Sequence, residues 1–296
     1  MAKIKSSLLN FIPILSIPAA IFIPQVGELF SHYTMWILAA LLFFSFLGLN
    51  AADLIKEAKK PMKPFFVSVV ILIISPLVIY PVMERFFPVY LLGAIIFMLL
   101  PSAVSSPAIS SIYGGNVASA TVIAVFSNLL SPFTIPLFLA VFMMTSVNVS
   151  ISSMLLQLLV IVIIPFALGL FVNRYSPSFV DKTRHHYKFI NLFILFLLFY
   201  AALAPYVPQL LANLTNWHLW LAVFIVHLTL YFFSKLAVLH ESSVAEKISI
   251  ESNLMFLNVG LGVVIAQTYF GPNEILFIIF CDIVWAFMVG FFKYLK

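Results

Sequence analysis

The residues able to do chemistry gather in two short runs of an otherwise oily chain. One is SSPAISSIYGGN at 105–116, where Ser105, Ser106, Ser110 and Ser111 stand with Pro107, Tyr113, a Gly-Gly pair and Asn116. The other is ISIESNLMFLNVGLGVVIAQTYFG, with Glu251, Asn253, Asn258 and Gln267, and with Gly260 and Gly262 behind Asn258. Hydroxyls, amides and a carboxylate suit reversible binding. Their oxygens fit a hard cation, and their N–H groups fit an anion. Proline removes a backbone donor and clashes with the preceding turn, and glycine loosens a helix. Pro107 and Gly260 therefore mark two places where a helix opens. Backbone freed in this way cannot face lipid and must line protein or a watery cavity.

Two titratable groups stand outside these runs, Asp282 in IIFCDIVWAF and His227 in FIVHLTLYF. An ionisable side chain inside a membrane span is a functional candidate, and either group could take up and release a proton. Each also has a structural reading. Asp282 could be bonded to Asn or Ser on a neighbouring helix, and His227 could be a neutral, hydrogen-bonded ring. Glu251 likewise reads as a cation ligand or as a carboxylate at a helix entrance near the cytoplasmic surface. Asn116 precedes a helical run and suits a helix cap. Asn128 is expected to bond across the core.

Enzyme signatures are missing. HESSV at 240–244 begins like a zinc-peptidase motif but ends in Val244, and no Walker A loop or dinucleotide fingerprint occurs. The single cysteine, Cys281, excludes an internal disulfide framework, a CxxC pair and a Cys-rich zinc site. An intramembrane enzyme would need convergent acids or histidines, and a channel a repeated filter or pore ring. Neither pattern is visible. The expectation is a non-enzymatic carrier with no organic cofactor, no metal beyond a coupling ion, and no nucleic-acid partner.

Composition fixes the elements that must position these residues. Of 296 residues, 64% are hydrophobic and 8% charged, against about 25% charged in soluble domains. Such a chain cannot cover itself against water, so its solvent is the lipid bilayer. A spanning helix needs about 20 mostly apolar residues. Ten stretches qualify, near 7–24, 34–50, 65–83, 88–113, 116–144, 153–173, 188–205, 217–239, 248–269 and 273–292. With the N-terminus inside, 14 of the 15 basic residues fall on one side and only Arg85 on the other, as the positive-inside rule requires. The basic stretch NRYSPSFVDKTRHHYK at 173–188 reads as a cytoplasmic loop, with weak attraction to anionic lipid.

These observations predict an all-α integral membrane protein. It is one polytopic domain of ten transmembrane helices, both termini cytoplasmic, in a plasma or inner membrane. The helices divide into repeat one, 1–146, and repeat two, 147–296. An odd number per half makes the repeats inverted, a common plan for secondary transporters. The two polar runs then fall on helices four and nine, at corresponding places. Paired Gly/Pro-interrupted segments of this kind point to a transporter's binding site.

The stretch PSAVSSPAISSIYGGNVASATVIAVFSNLLSPFTIPLFLAVF resembles the fourth and fifth helices of the bile acid:sodium symporter family. Its marks are Gly115-Asn116, then Ser131-Pro132 and Thr134 before Pro136. NVGLGVVIAQTYFGP resembles that family's ninth helix. PSAV…YGG also looks like the related auxin efflux carriers. The resemblance implies a panel of helices 1, 2, 6 and 7 against a core of the other six, with broken helices 4 and 9 crossing. It implies alternating-access transport of a small organic anion, often a carboxylate, coupled to sodium. Ser105, Ser106, Asn253 and Asn258 would then meet the substrate.

Carrying the sodium ligands over exposes departures. The family's Ser-Asn pair falls on Ser106-Pro107, and two helix-five hydroxyls fall on Ala120 and Ala124. A glutamine on helix three falls at Ser75 or Pro76. Asn253 stands where the family has glutamate and Leu257 where it has glutamine, while Glu251 comes two residues early. Ser106, Glu251, Asp282 and His227 are therefore the candidates for coupling to Na+ or H+. The alternative to a sodium symporter is a proton-coupled or uncoupled carrier.

Overall fold

A computed structural model describes residues 15–49, 59, 61–142 and 150–295. Among them the structure is helical, with one isolated antiparallel bridge and no strand. In order, the helices are α1 (Ser16–Phe22), α2 (Pro24–Ser31), α3 (Thr34–Leu47), α4 (Met62–Val69) and α5 (Ser75–Phe86). Then come α6 (Leu91–Met98), α7 (Ser106–Ile112), α8 (Val117–Phe142), α9 (Ile151–Tyr175) and α10 (Pro177–Leu203). Last are α11 (Val207–Asn213), α12 (Trp217–Ala237), α13 (Val244–Met255), α14 (Val259–Tyr269) and α15 (Pro272–Leu295). A helix satisfies every backbone group within itself, which is why lipid selects it. Large apolar side chains accordingly face outward, among them Phe22, Trp36, Phe86, Trp217 and Phe287.

Six helices among the described residues are long and apolar enough to cross a membrane unaided. The π-helical turn Val70–Ile74 joins α4 to α5 within one of them. Pro76, which has no amide to donate, follows directly, and Ser75 Oγ donates to the Ile71 carbonyl at 2.8 Å. α2 fills the gap between the first two expected spans and meets α3 at 81°. The first expected helix, 7–24, begins outside the described residues, as does most of the connection between the halves. The stretch 173–188 is not a loop. α10 starts at Pro177 and runs unbroken into the membrane, because proline fits a helix's first turn and nothing after it breaks the run.

Packing follows two groupings, joined where α8 lies along α9. α3 lies against α9 and α10, with α1 and α2 along α10. α15 lies against α6, α14 and α12, and α8 lies against α4, α7 and α13. Gly27 permits the closest approach in the first grouping. A Cβ there would lie 2.5 Å from Ala204 Cβ and 2.9 Å from the Tyr200 carbonyl oxygen. Gly27→Ala is therefore expected to cost about 1–3 kcal/mol through overpacking against backbone. This would appear as a lower thermal midpoint in detergent. Gly290→Ala, where an added Cβ meets nothing within 4 Å, is the neutral control.

Candidate functional site

Two interrupted helices meet back to back. The α6–α7 interruption spans 99–105, and the α13–α14 interruption spans 256–258. Pro101 cannot donate in a helical ladder, and the chain around it runs extended. Ala103 N–H donates to the Phe256 carbonyl at 2.7 Å, and Asn258 N–H donates to the Pro101 carbonyl at 2.7 Å. These bonds form the bridge between Ser102 and Leu257. Each break thus repairs part of the other's lost backbone bonding.

Local sequence explains how each half-helix stops and starts. Pro107 sits in the first turn of α7, the tolerated place for proline. Gly114 takes φ +84° after α7. Gly115 N–H then donates to the Ser110 carbonyl at 2.8 Å, and Gly114 N–H to that of Ser111 at 3.4 Å, a Schellman ending that requires glycine. Asn116 Oδ1 accepts from Ala118 N–H at 3.1 Å and opens α8, the capping role its position predicts. Asn258 opens α14, its Oδ1 accepting from Leu261 N–H at 3.2 Å. Gly260 lies beyond the break, inside α14's first turn, where a Cβ would stand 2.9 Å from Leu198. It serves packing against α10.

A side-chain web fastens the crossing. Asn258 Nδ2 donates to Asn128 Oδ1 at 3.1 Å, and Asn128 Nδ2 donates to the carbonyls of Ser102 and Ala124 at 2.9 and 2.8 Å. Ser102 Oγ donates to the Asn253 carbonyl at 3.0 Å, and Ser102 N–H donates to Ser127 Oγ at 3.1 Å. Ser106 Oγ donates to the Ser252 carbonyl at 3.2 Å. Asn253 donates to the Ser249 carbonyl at 2.8 Å, but its buried Oδ1 has no partner. The half-buried Ser105 hydroxyl makes no hydrogen bond among the described residues. A hollow of about 10 Å³ opens beside the web, about one water's worth. Val104, Pro107, Ala124 and Asn128 line one side, and Phe46 and Leu49 lie opposite.

Of the predicted site residues, Ser105, Ser106, Asn253 and Asn258 converge here, while Glu251, His227 and Asp282 do not join the web. Glu251 is buried and accepts from Lys235 Nζ at 2.7 Å. His227 Nδ1 bonds the Val223 carbonyl at 2.9 Å, so Nδ1 carries the proton, and Nε2 is buried without a partner. Asp282 has no hydrogen bond or ion pair among the described residues. It faces a cleft on α15 rather than an Asn or Ser of another helix. Sequence reasoning missed Ser102, Ser127 and Ser252. Their parts are backbone contacts, and only the preceding Pro101 hinted at the first. It also missed Lys235, whose signal is a lysine ending an apolar helix.

A second polar cluster lies where α8 and α13 begin. Glu246 accepts from Asn116 Nδ2, from Ser119 Oγ at 2.9 Å and from Lys63 Nζ at 3.2 Å. Lys63 also reaches Glu241 at 2.8 Å. The lysine bond holds the Glu241 carboxyl below its ordinary range. A lowered folded value means the clip stabilises fully at neutral pH and weakens as pH falls through that value. The thermal midpoint of the parent should exceed that of Lys63→Met at pH 7. The gap should close below about pH 4, near the usual glutamate range.

The family model of the SBF-like CPA transporter family matches residues 9–286. The protein YbaS of Bacillus subtilis is 25% identical over 248 residues, covering 81% of this chain and 80% of that protein. Sodium/bile acid cotransporter 7-B of Xenopus laevis is 26% identical over 242 residues, covering 78% of this chain and 71% of its own length. Sodium/bile acid cotransporter 7 of Xenopus tropicalis is 27% identical over 145 residues, 49% of this chain and 42% of its own.

Proposed function

Since the chain belongs to the SBF-like CPA transporter family, we propose that it is a secondary carrier of a small organic anion, working by alternating access around its crossed helices. It is a multi-pass membrane transporter and not an enzyme. The resemblance to bile acid:sodium symporters seen in the sequence is thereby established. The observation that carries the mechanism is the pair of interrupted helices joined through Ala103–Phe256 and Pro101–Asn258. Broken helices meeting at mid-chain positions of two halves are the signature of a carrier's centre.

In this reading the ten apolar stretches all span, as two inverted repeats divided near residue 146, with both termini cytoplasmic in an inner or plasma membrane. α1–α3, α9 and α10 form the panel, and the remaining helices form the core. The substrate is a carboxylate with an apolar body, the class named in the frog relatives. It is met by the free Ser105 hydroxyl, by the α14 start at Asn258, and by Asn253 once the hollow widens. Ser106 acts as a strut.

Coupling to sodium is not favoured. A hard cation wants several oxygens, preferably one charged. The one carboxylate near the crossing, Glu251, is already held by Lys235. The lysine ammonium stands in for a mobile cation. Asp282, near the middle of α15, is the better candidate for a coupling proton. Counterflow of labelled carboxylates into proteoliposomes tests the carrier reading, with sodium replaced by choline and pH then varied. Saturable exchange that persists in choline is expected. Ohmic current without exchange would overturn the carrier, and an absolute sodium requirement would overturn the coupling.

A further inference from the structure

Asp282 stands alone in an apolar setting. At four-residue spacing Asp282, Ala286 and Gly290 share one face of α15. Together with Phe287, Phe291 and Ile17 of α1 they enclose a cleft of about 310 Å³. Small-molecule sites begin at about 300 Å³. The floor is open at Gly290, where an added Cβ would meet nothing within 4 Å. Among the described residues no lysine, arginine or histidine lines the cleft. Among the described residues no group donates a hydrogen bond to the Asp282 carboxyl. Glu251, the buried acid near the crossing, by contrast has its lysine.

An acid without a partner inside a membrane is costly and calls for a compensating cation or donor. The apolar walls accept a hydrocarbon body as lipid does, so preference among chain-matched ligands is set at the carboxyl. A cation on the carboxylate supplies a charge-assisted hydrogen bond. An anion of the same shape would meet only repulsion. We propose that this cleft binds a small amphiphilic amine. Its ammonium sits on Asp282, and its hydrocarbon lies over Ala286 and Gly290 between Phe287, Phe291 and Ile17. This goes beyond the transported anion, and although Asp282 is also the coupling-proton candidate, ligand binding to the cleft is measured outside the transport cycle.

The test measures binding of octylammonium, octanol and octanoate to the full chain in lipid nanodiscs, with empty nanodiscs subtracted. Octylammonium is expected to bind at least about tenfold more tightly than either chain-matched probe, which corresponds to about 1.4 kcal/mol. Asp282→Asn should erase that preference, since the amide keeps shape and loses charge. Gly290→Leu, which fills the floor without touching the acid, should weaken octylammonium by a similar factor and leave the thermal midpoint unchanged. Octanoate binding as well as octylammonium would overturn the site. So would a preference that survives Asp282→Asn, or indifference to Gly290→Leu. Binding is read without transport, so the amine site and the organic-anion carrier stand or fall separately.

Discussion

Asn258→Ala is expected to cut carboxylate counterflow at least about tenfold, the rate equivalent of about 1.4 kcal/mol, while folded protein reaches the membrane in normal amount. The residue does two side-chain jobs at the crossing. Its oxygen caps α14 through Leu261 N–H, and its amide donates to Asn128 Oδ1. Alanine removes both. Losing the cap costs about 1 kcal/mol, and hydrogen bonds between helices in membranes average only about 0.6 kcal/mol. The fold, whose backbone bridge from Asn258 N–H to Pro101 is kept, should therefore survive. Transport should not, because the α14 start and Asn128 lose their fixed relation at the proposed substrate position. Asn258→Ser separates the two jobs. It keeps a capping oxygen for Leu261 N–H but is too short to donate to Asn128 Oδ1. Its thermal midpoint should lie nearer the parent, with uptake as low as in alanine. Uptake within twofold of the parent in both variants, at equal abundance, would remove Asn258 from the mechanism.

Lys235→Met is expected to produce the largest loss of stability of any single change considered. It leaves Glu251, whose side chain is 4% exposed, buried without a cation. Breaking a buried pair from one side costs about 3–5 kcal/mol. The lysine is 32% exposed, so water reaches the pair and the lower end of that range is the expectation. Glu251→Gln in the same chain should recover most of the loss, since replacing both members of a buried pair is often close to neutral. The sodium argument adds a sharper readout. With the tethered ammonium gone, the carboxylate becomes available to a mobile cation. A cation that binds only the folded state raises its stability. Sodium should therefore raise the thermal midpoint of Lys235→Met more than choline does, and should not do so for the parent. If sodium stabilises the parent equally, Lys235 is not the stand-in cation. If Lys235→Met melts with the parent, the pair contributes nothing.

Several features were readable from the sequence alone. Sixty-four per cent hydrophobic residues meant lipid as solvent, and the described residues are indeed helical with outward-facing Phe and Trp. Pro101, Pro107 and the Gly114-Gly115 pair located one interruption, and Asn258 before Val259-Gly260 located the other. Both are local effects, since proline lacks a donor and Gly114 takes a positive φ. Asn116 as a cap was readable for the same reason, because a cap acts within three residues of itself. The stretch 173–188 misled because charge and proline resemble a loop, yet proline at a helix start favours the helix.

What the chain determined by itself was therefore the solvent it needs, where its helices break, and which few polar residues it keeps inside. Tertiary structure alone decided which of those residues meet. Ser102 finds the Asn253 carbonyl 151 positions away, Lys235 holds Glu251, and Asp282 is left facing an apolar cleft with Ile17. The physical reason is range. Helix breaks and caps are set by neighbours within a turn, whereas partners of buried polar groups are set by which helices pack together. A buried group takes whichever partner the packing brings within about 3 Å, and no spacing along the sequence encodes that.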